Sequence, residues 1–109
     1  MKRRLIIVAE ARIEIAETVQ AYEAKVPGLG RRFWQELKLC LAGVRDNPLH
    51  WRAISPKYRR TVMRVFPYLV FYRVKDDEVR VLHVLHGARD YERILAQSED
   101  EPPCPSGND

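Results

Sequence analysis

The sequence predicts an α+β domain in which a mainly antiparallel sheet packs on a helical hairpin. Three observations lead to this fold class. Two segments with helical apolar spacing flank a Pro-Gly turn, a β-branched segment precedes them, and three apolar segments with short connections follow them. The predicted order is β-α-α-β-β-β, with a short helix over residues 90–97 as an optional last element. The 109 residues are enough for one such domain with a modest core.

The chain begins with a predicted strand and a predicted helix. Residues 4–8, Arg-Leu-Ile-Ile-Val, are apolar and β-branched, which is typical of a buried strand. From residue 9 the apolar residues recur at steps of three and four, which indicates one face of a helix. The residues on this face are Ala11, Ile15, Val19, Tyr22 and Val26. We expect the helix to end at Pro27-Gly28, because proline cannot continue a helix and glycine permits the turn.

A second helix is predicted over residues 29–46. Its apolar stripe consists of Phe33, Leu37, Cys40 or Leu41, and Val44. The sequence Asp46-Asn47-Pro48 ends it. Two amphipathic helices joined by a tight turn form an antiparallel hairpin, and the apolar side of that hairpin requires a sheet to cover it.

The second half of the chain predicts the rest of the sheet. The predicted strands are residues 59–66, 68–74 and 79–85. The first of them alternates imperfectly, with Arg60 and Arg64 on one face and Met63 and Val65 on the other. The second is almost wholly apolar or aromatic, which is typical of a central strand. Because the connections between the three strands are short, we expect antiparallel neighbours.

Charge is distributed unevenly along the chain. The whole sequence has 19 basic and 15 acidic residues, whereas residues 98–109 hold four acidic residues and no basic one. Residues 1–97 therefore carry a net charge of +8. Fourteen of the basic residues are arginine, which favours a nucleic-acid or acidic protein partner. We interpret residues 1–97 as the folded domain and residues 98–109 as an acidic, disordered tail.

The sequence predicts no metal centre, no disulfide framework and no membrane span. Cys40 and Cys104 lie far apart, and no apolar run approaches the ~20 residues that a bilayer requires. The N-terminus is basic and then apolar, but Glu10 and Arg12 interrupt it, so a strand is expected there rather than a signal peptide. We expect a cytoplasmic protein with no metal, no small-molecule cofactor and no membrane partner.

Three segments together carry a family resemblance. They are Val26-Pro-Gly-Leu-Gly-Arg-Arg-Phe-Trp-Gln-Glu-Leu37, Arg64-Val-Phe-Pro-Tyr-Leu-Val-Phe-Tyr-Arg73 and Val81-Leu-His-Val-Leu-His-Gly-Ala-Arg-Asp90. Their order and spacing resemble the RelE/ParE superfamily of bacterial toxins from type II toxin–antitoxin modules, which are often labelled plasmid stabilisation proteins. The resemblance covers roughly residues 5–97. It implies a β-α-α-β-β-β toxin that a small antitoxin, encoded beside it, neutralises by wrapping it with a flexible segment.

Two toxin mechanisms are implied by this resemblance. ParE-like members poison DNA gyrase and trap cleaved DNA, whereas RelE-like members cut messenger RNA in the ribosomal A site. The ending Leu85-His-Gly-Ala-Arg-Asp90 resembles the ParE type, so inhibition of DNA gyrase is the favoured interpretation. A ribosome-dependent mRNA endoribonuclease is the alternative. An orphan or degenerate module that only binds an antitoxin is the second alternative.

The nuclease interpretation makes definite demands on side chains. Cleavage through the 2′-hydroxyl requires an acid, a base and cations that stabilise phosphate charge. The candidates are Arg60, Arg64, His86 and Arg89, which could share one rim of the sheet. The RelE-like pattern also places a tyrosine about six residues after the last arginine. Here Leu95 occupies that position, and Tyr91 comes only two residues after Arg89.

The gyrase interpretation needs a protein-binding surface and no catalytic acid. The candidates for contact with the target or the antitoxin are Arg31, Arg32, Arg60, Arg64, Arg89 and Tyr91. The first two lie at the start of the second predicted helix, where positive charge opposes the helix dipole, and this favours a binding role. The aromatic residues of the 68–74 strand and His83 are predicted to pack in the core and the sheet, rather than to stack on bases or bind a metal.

Overall fold

The predicted order of elements is confirmed. A computed structural model describes residues 3–51, 53–55 and 57–87. The elements are β1 (Arg4–Ile7), α1 (Ala9–Lys25), α2 (Leu29–Asp46), β2 (Arg59–Val62), β3 (Tyr68–Lys75) and β4 (Glu78–His86). The helix expected over residues 90–97 and the tail expected over residues 98–109 lie outside the described residues.

The four strands form one mixed sheet in the order β1-β4-β3-β2. The pairs β2–β3 and β3–β4 are antiparallel, as the short connections predict, and β1 pairs with β4 in parallel. The parallel pair arises because the chain leaves β1 through the helical hairpin and returns to the sheet at its far edge. The fold class predicted from the sequence, α+β with a mainly antiparallel sheet on a helical hairpin, is confirmed.

The core lies between the helical hairpin and one face of the sheet. The apolar stripe of α2 supplies Phe33, Leu37 and Leu41, which are almost fully buried. They pack against Val70 of β3 and Val81 of β4. The helix stripe expected from the sequence is therefore the buried one, and this burial of apolar area is the main force that holds the two layers together.

Strand β2 is shorter than the sequence predicts. It ends at Val62, whereas alternation predicted a strand over residues 59–66. Met63 and Phe66 are 4% and 7% exposed, so both side chains enter the core. Residues three apart point to opposite faces of a strand, so burying both of them requires the chain to leave the strand. Arg64 consequently lies in the connection to β3 and not on a strand face.

Strand β4 contains a bulge. Tyr72 pairs with Val81 but its neighbour Phe71 pairs with His83, so Leu82 is an extra residue. The bulge shifts the alternation by one, and for this reason Val81 and Val84 both pack in the helix-facing core although they are three apart.

A glutamate from α1 completes the edge of β4 beyond the end of β1. The Val84 backbone N–H donates to Glu14 Oε1 at 2.9 Å, and His83 Nδ1 lies 2.9 Å from Glu14 Oε2. Strand β1 ends at Ile7, so it supplies no partner at this height of the sheet. The carboxylate takes the place of a neighbouring strand and ties α1 to β4. His83 is 4% exposed, which confirms it as a packed sheet residue.

Removal of this carboxylate should destabilise the fold. We expect Glu14→Ala to lower the free energy of unfolding by about 2 kcal/mol, because a backbone N–H is left without an acceptor in a part-buried site. Urea denaturation measures the change. Glu17→Ala, on an exposed position of the same helix, is the matched control and should change stability by less than about 0.5 kcal/mol. Equal effects of the two substitutions would contradict this role for Glu14.

Candidate functional site

Four aromatic rings join the helical hairpin to the sheet at one end of the molecule. Tyr22 lies 5.1 Å from Phe66 and 6.2 Å from Tyr68, measured between ring centroids. Phe33 lies 5.2 Å from Phe66 and 5.1 Å from Tyr68. These contacts bring together residues 26–32, 63–68 and 86–87, and we call this region the hairpin end. It contains most of the arginines that sequence reasoning selected.

The turn that opens α2 is built on two glycines. Gly28 has a φ of 89°, a backbone conformation that side chains with a Cβ rarely adopt. At Gly30 an added Cβ would lie 2.5 Å from the Val19 carbonyl oxygen of α1, so the two helices cross in direct backbone contact there. The two glycines of the Pro-Gly-Leu-Gly motif are thus explained by the positive φ of Gly28 and by the close approach of the α1 backbone to Gly30.

A side chain of α1 caps the N-terminus of α2. Glu23 Oε2 accepts the Gly28 N–H at 2.8 Å, and Oε1 accepts the Gly30 N–H at 3.0 Å. These two backbone hydrogen bonds hold the pKa of the Glu23 carboxyl below its ordinary value, with a smaller contribution from Arg31. Two N–H groups at the start of α2 therefore already have an acceptor, and the carboxylate partly balances the charge of the arginines beside it.

The lowered pKa of Glu23 gives a prediction for stability against pH. A carboxyl with a depressed folded-state pKa stabilises the fold above its unfolded value of about 4.5, and this contribution is lost as pH falls through the folded-state pKa. We expect Glu23→Gln to lower the melting temperature at pH 7 and to have little effect well below pH 4. Thermal melting at both pH values measures this difference. A Glu23→Gln effect that stays constant with pH would contradict it, and Glu17→Gln is the control.

Three predicted binding residues lie exposed at the hairpin end. Arg31 and Arg32 occupy the first turn of α2, and Arg64 lies in the connection between β2 and β3. Neither Arg32 nor Arg64 forms an ion pair with any residue of the described ranges. The arrangement presents guanidinium groups to solvent beside an aromatic cluster, a combination suited to an anionic protein or nucleic-acid surface.

His86 ends β4 at the same end of the molecule. Its ring lies 5.2 Å from the ring of Tyr68, its cross-strand partner, in an edge-to-face arrangement. The next residue, Gly87, donates its N–H to the Pro67 carbonyl at 2.8 Å, which fixes the chain as it leaves the strand. His86 is half-buried, and its side chain lies on the same sheet face as Tyr68 and the helices.

The structure separates Arg60 from His86. Arg60 pairs with Phe71 and so lies on the sheet face opposite to that of Tyr68 and His86. The Cα atoms of Arg60 and His86 are roughly 14 Å apart, from two strand spacings and three residues along the strand. Unbroken alternation along β4 would have placed His86 on the face of Arg60. The bulge at Leu82 moves it to the other face.

The remaining candidates follow β4 in the chain. Arg89 and Tyr91 lie outside the described residues, as does Leu95. They remain predictions from the sequence. Their proximity in the chain to Gly87 is the reason to test them together with the hairpin end.

Burial raises the pKa values of two groups on the helical hairpin. Burial, and secondarily the neighbouring hydroxyl of Tyr68, raises the pKa of Tyr22 above the ordinary value of a phenol. Cys40 of α2 is half-buried against the core, and burial raises its pKa to about 11. A thiol with such a pKa is a poor nucleophile at neutral pH.

Within residues 3–51, 53–55 and 57–87, no three His, Cys, Asp or Glu side chains are grouped so that they could hold a metal ion. No helix within these ranges is long and apolar enough to span a bilayer.

Sequence reasoning missed the two glutamates that organise the site. Glu14 and Glu23 lie largely off the apolar face of α1, and neither was among the candidate residues. In the structure one holds β4 in place and the other caps α2. The sequence contains a weak signal for Glu23, because this glutamate lies in the last turns of α1, just before the glycine-containing turn that leads into α2. No such signal exists for Glu14, because its partners lie about 70 residues away.

Known structures share this fold. The chromosomal ParDE toxin–antitoxin system from P. aeruginosa matches with a TM-score of 0.69 and 17% sequence identity, over 77% of this chain and 95% of that one. A mutant of the E. coli toxin RelE in the free state matches with a TM-score of 0.67 and 20% identity, over 93% of this chain and all of that one. Because the sequence identities are only 17% and 20%, these two matches show a shared fold and nothing further. Among curated proteins, none matches the sequence significantly.

A family model gives the assignment that structure alone does not give. The model of the ParE toxin of the type II toxin–antitoxin system parDE matches residues 6–91, which is most of the chain. The matched region includes the helical hairpin, strands β2 to β4, the second half of β1 and the candidate residues Arg89 and Tyr91. The chain therefore belongs to the ParE toxin family of type II toxin–antitoxin systems, within the RelE/ParE superfamily.

Proposed function

We propose that this toxin arrests bacterial growth in the cytoplasm by binding DNA gyrase, and that a cognate antitoxin silences it. The observation that carries the choice of target is the separation of Arg60 from His86 onto opposite sheet faces. Phosphoryl-transfer chemistry needs its acid, base and cations around one phosphate, and this register keeps two of the four nuclease candidates apart. The match to the ParE model supports the same target.

The hairpin end is the surface that we assign to gyrase. Exposed Arg32 and Arg64 flank an aromatic cluster that both layers of the fold form. Arginine and large aromatic residues are enriched among the residues that contribute most of the binding energy at protein interfaces. The arginine-rich surface is equally suited to an acidic antitoxin segment, which would block gyrase by occupying the same residues.

We propose that residues after β4 also contribute to gyrase binding. We expect Arg89→Ala, or removal of residues 90–97, to relieve growth arrest when the toxin is induced without antitoxin. DNA-damage signalling should disappear in the same cells, because trapped gyrase cleavage complexes are its source. Growth arrest that persists without damage signalling would contradict gyrase as the target.

The second candidate function is ribosome-dependent cleavage of messenger RNA. It is favoured by the position of His86 beside the loop that carries Arg64, which leaves an imidazole and a guanidinium at one end of the molecule. Under this mechanism Arg60→Ala and His86→Ala should abolish cleavage on translating ribosomes and retain ribosome binding. Unchanged cleavage in both variants would exclude this set of catalytic residues. Absence of growth arrest by the wild-type chain would instead indicate a degenerate module that only binds an antitoxin.

A further inference from the structure

A second basic surface lies on the sheet face that points away from the helices. Leu5, Tyr72 and Val79 pack with Val44 of α2, so they mark the helix-facing side of the sheet. Alternation places their strand neighbours on the opposite face. The basic residues on that face, which we call the cationic stripe, are Arg4 on β1, Arg60 on β2, Arg73 and Lys75 on β3, and Arg80 on β4.

The cationic stripe carries an excess of positive charge. Its one acidic neighbour on β4 is Glu78, whose Oε1 lies 3.3 Å from Nε of Arg80 and whose Oε2 contacts Arg4. Arg73 and Arg80 are direct cross-strand partners, and like charges in such a pair destabilise a sheet. Arg73 makes no ion pair with any residue that the structure describes. A bound polyanion would relieve this repulsion.

The chain itself contains a polyanion of matching charge. Residues 98–109 carry a net charge of −4, from three consecutive acidic residues at 99–101 and Asp109. The five cations and Glu78 on the strands sum to a net charge of +4, and the exposed Asp76 and Asp77 of the β3–β4 turn lie at one end of the stripe, beside Lys75. We propose that the acidic segment 98–109 docks on the cationic stripe of its own chain and shields it from other polyanions.

The segment is long enough to reach the stripe. The distance along β4 from His86 back to Arg80 is about 20 Å at the rise of a strand. The eleven residues between Gly87 and Glu99 span up to roughly 36 Å when extended. Because both partners belong to one chain, the local concentration of the segment is in the millimolar range, so weak ion pairs suffice for docking. An external polyanion has to displace the segment, which makes the stripe a regulated surface.

The full chain offers a specific probe of this contact. Cys104 lies inside the acidic segment, and burial leaves Cys40 with a pKa of about 11, so a thiol-reactive nitroxide labels Cys104 selectively. We expect the label to broaden backbone amide signals around Arg73 and Arg80 in the ¹⁵N spectrum. At 1 M salt, where the Debye length falls to about 3 Å, the broadening should disappear.

Two pairs of matched variants test the site of docking. Arg73→Gln/Arg80→Gln should abolish the broadening, whereas Arg32→Gln/Arg64→Gln, which removes the same charge from the hairpin end, should retain it. Neutralising the segment with Glu99→Gln, Asp100→Asn and Glu101→Gln should abolish it without changing any described residue. Broadening centred on the hairpin end, or retained in Arg73→Gln/Arg80→Gln, would overturn the proposal.

A mixing experiment separates docking within one chain from association of two chains. Spin-labelled chains without ¹⁵N are mixed with ¹⁵N chains without label, and we expect no broadening. Broadening in the mixture as strong as in the doubly labelled chain would overturn intramolecular docking, as would its absence from the doubly labelled chain. The readout requires no gyrase, so its outcome is independent of the proposed function.

Discussion

Substitution of Gly30 by alanine should destabilise the toxin by about 3 kcal/mol, the upper part of the range for overpacked sites. The added Cβ would lie 2.5 Å from the Val19 carbonyl oxygen, and a helix backbone cannot move away as a flexible side chain can. Separation of the helices would also lengthen the hydrogen bond from the Gly30 N–H to Glu23. The free energy of unfolding in urea measures the loss.

Gly43 provides the matched control in the same helix. A Cβ there would lie 3.5 Å from Trp51, an ordinary van der Waals contact. We expect Gly43→Ala to be neutral or to stabilise by up to about 1 kcal/mol, since alanine favours helix more than glycine does. Equal effects of the two substitutions would show that the close approach of α1 and α2 at Gly30 is not what holds the hairpin.

Reversal of charge at the hairpin end should abolish toxicity and leave the fold intact. We expect Arg32→Glu/Arg64→Glu to raise the toxin concentration needed for half-maximal gyrase-dependent DNA cleavage about 100-fold, if each arginine contributes about 1.4 kcal/mol to binding. Both side chains are exposed and form no ion pair within the described residues, so their loss removes no internal contact. Thermal melting of the variant should match that of the wild type.

The control for this variant carries the same change of charge elsewhere. Lys38 lies in the middle of α2 and Lys57 precedes β2, and both are exposed. Lys38→Glu/Lys57→Glu should therefore retain DNA cleavage within a few-fold of the wild type. A similar loss in both double variants would mean that net charge, rather than the hairpin end, determines gyrase binding.

Much of the fold was predictable because its determinants are local. The apolar stripe of α2, with Phe33 and Leu37, and the Pro-Gly turn before it are visible as spacing and as residue type. The short connections between β2, β3 and β4 fix their antiparallel pairing. These features depend on residues within a few positions of one another, so a single sequence reveals them.

The features that the sequence did not reveal depend on distant parts of the chain. The early end of β2 follows from the burial of Met63 and Phe66 against the helical hairpin. The bulge at Leu82 determines which face His86 occupies, and it places Val81 and Val84 in the same core cluster. For the candidate site, residue types at the hairpin end were predictable, whereas the separation of Arg60 from His86 required the register.

Incubation of the purified toxin with DNA gyrase and supercoiled plasmid tests the central claim most directly. After treatment with protease and detergent, we expect linear DNA whose formation requires both gyrase and the toxin and is suppressed by the antitoxin. If a toxin that still arrests growth yields no linear DNA, gyrase is not its target. That result would direct attention to translating ribosomes and to His86.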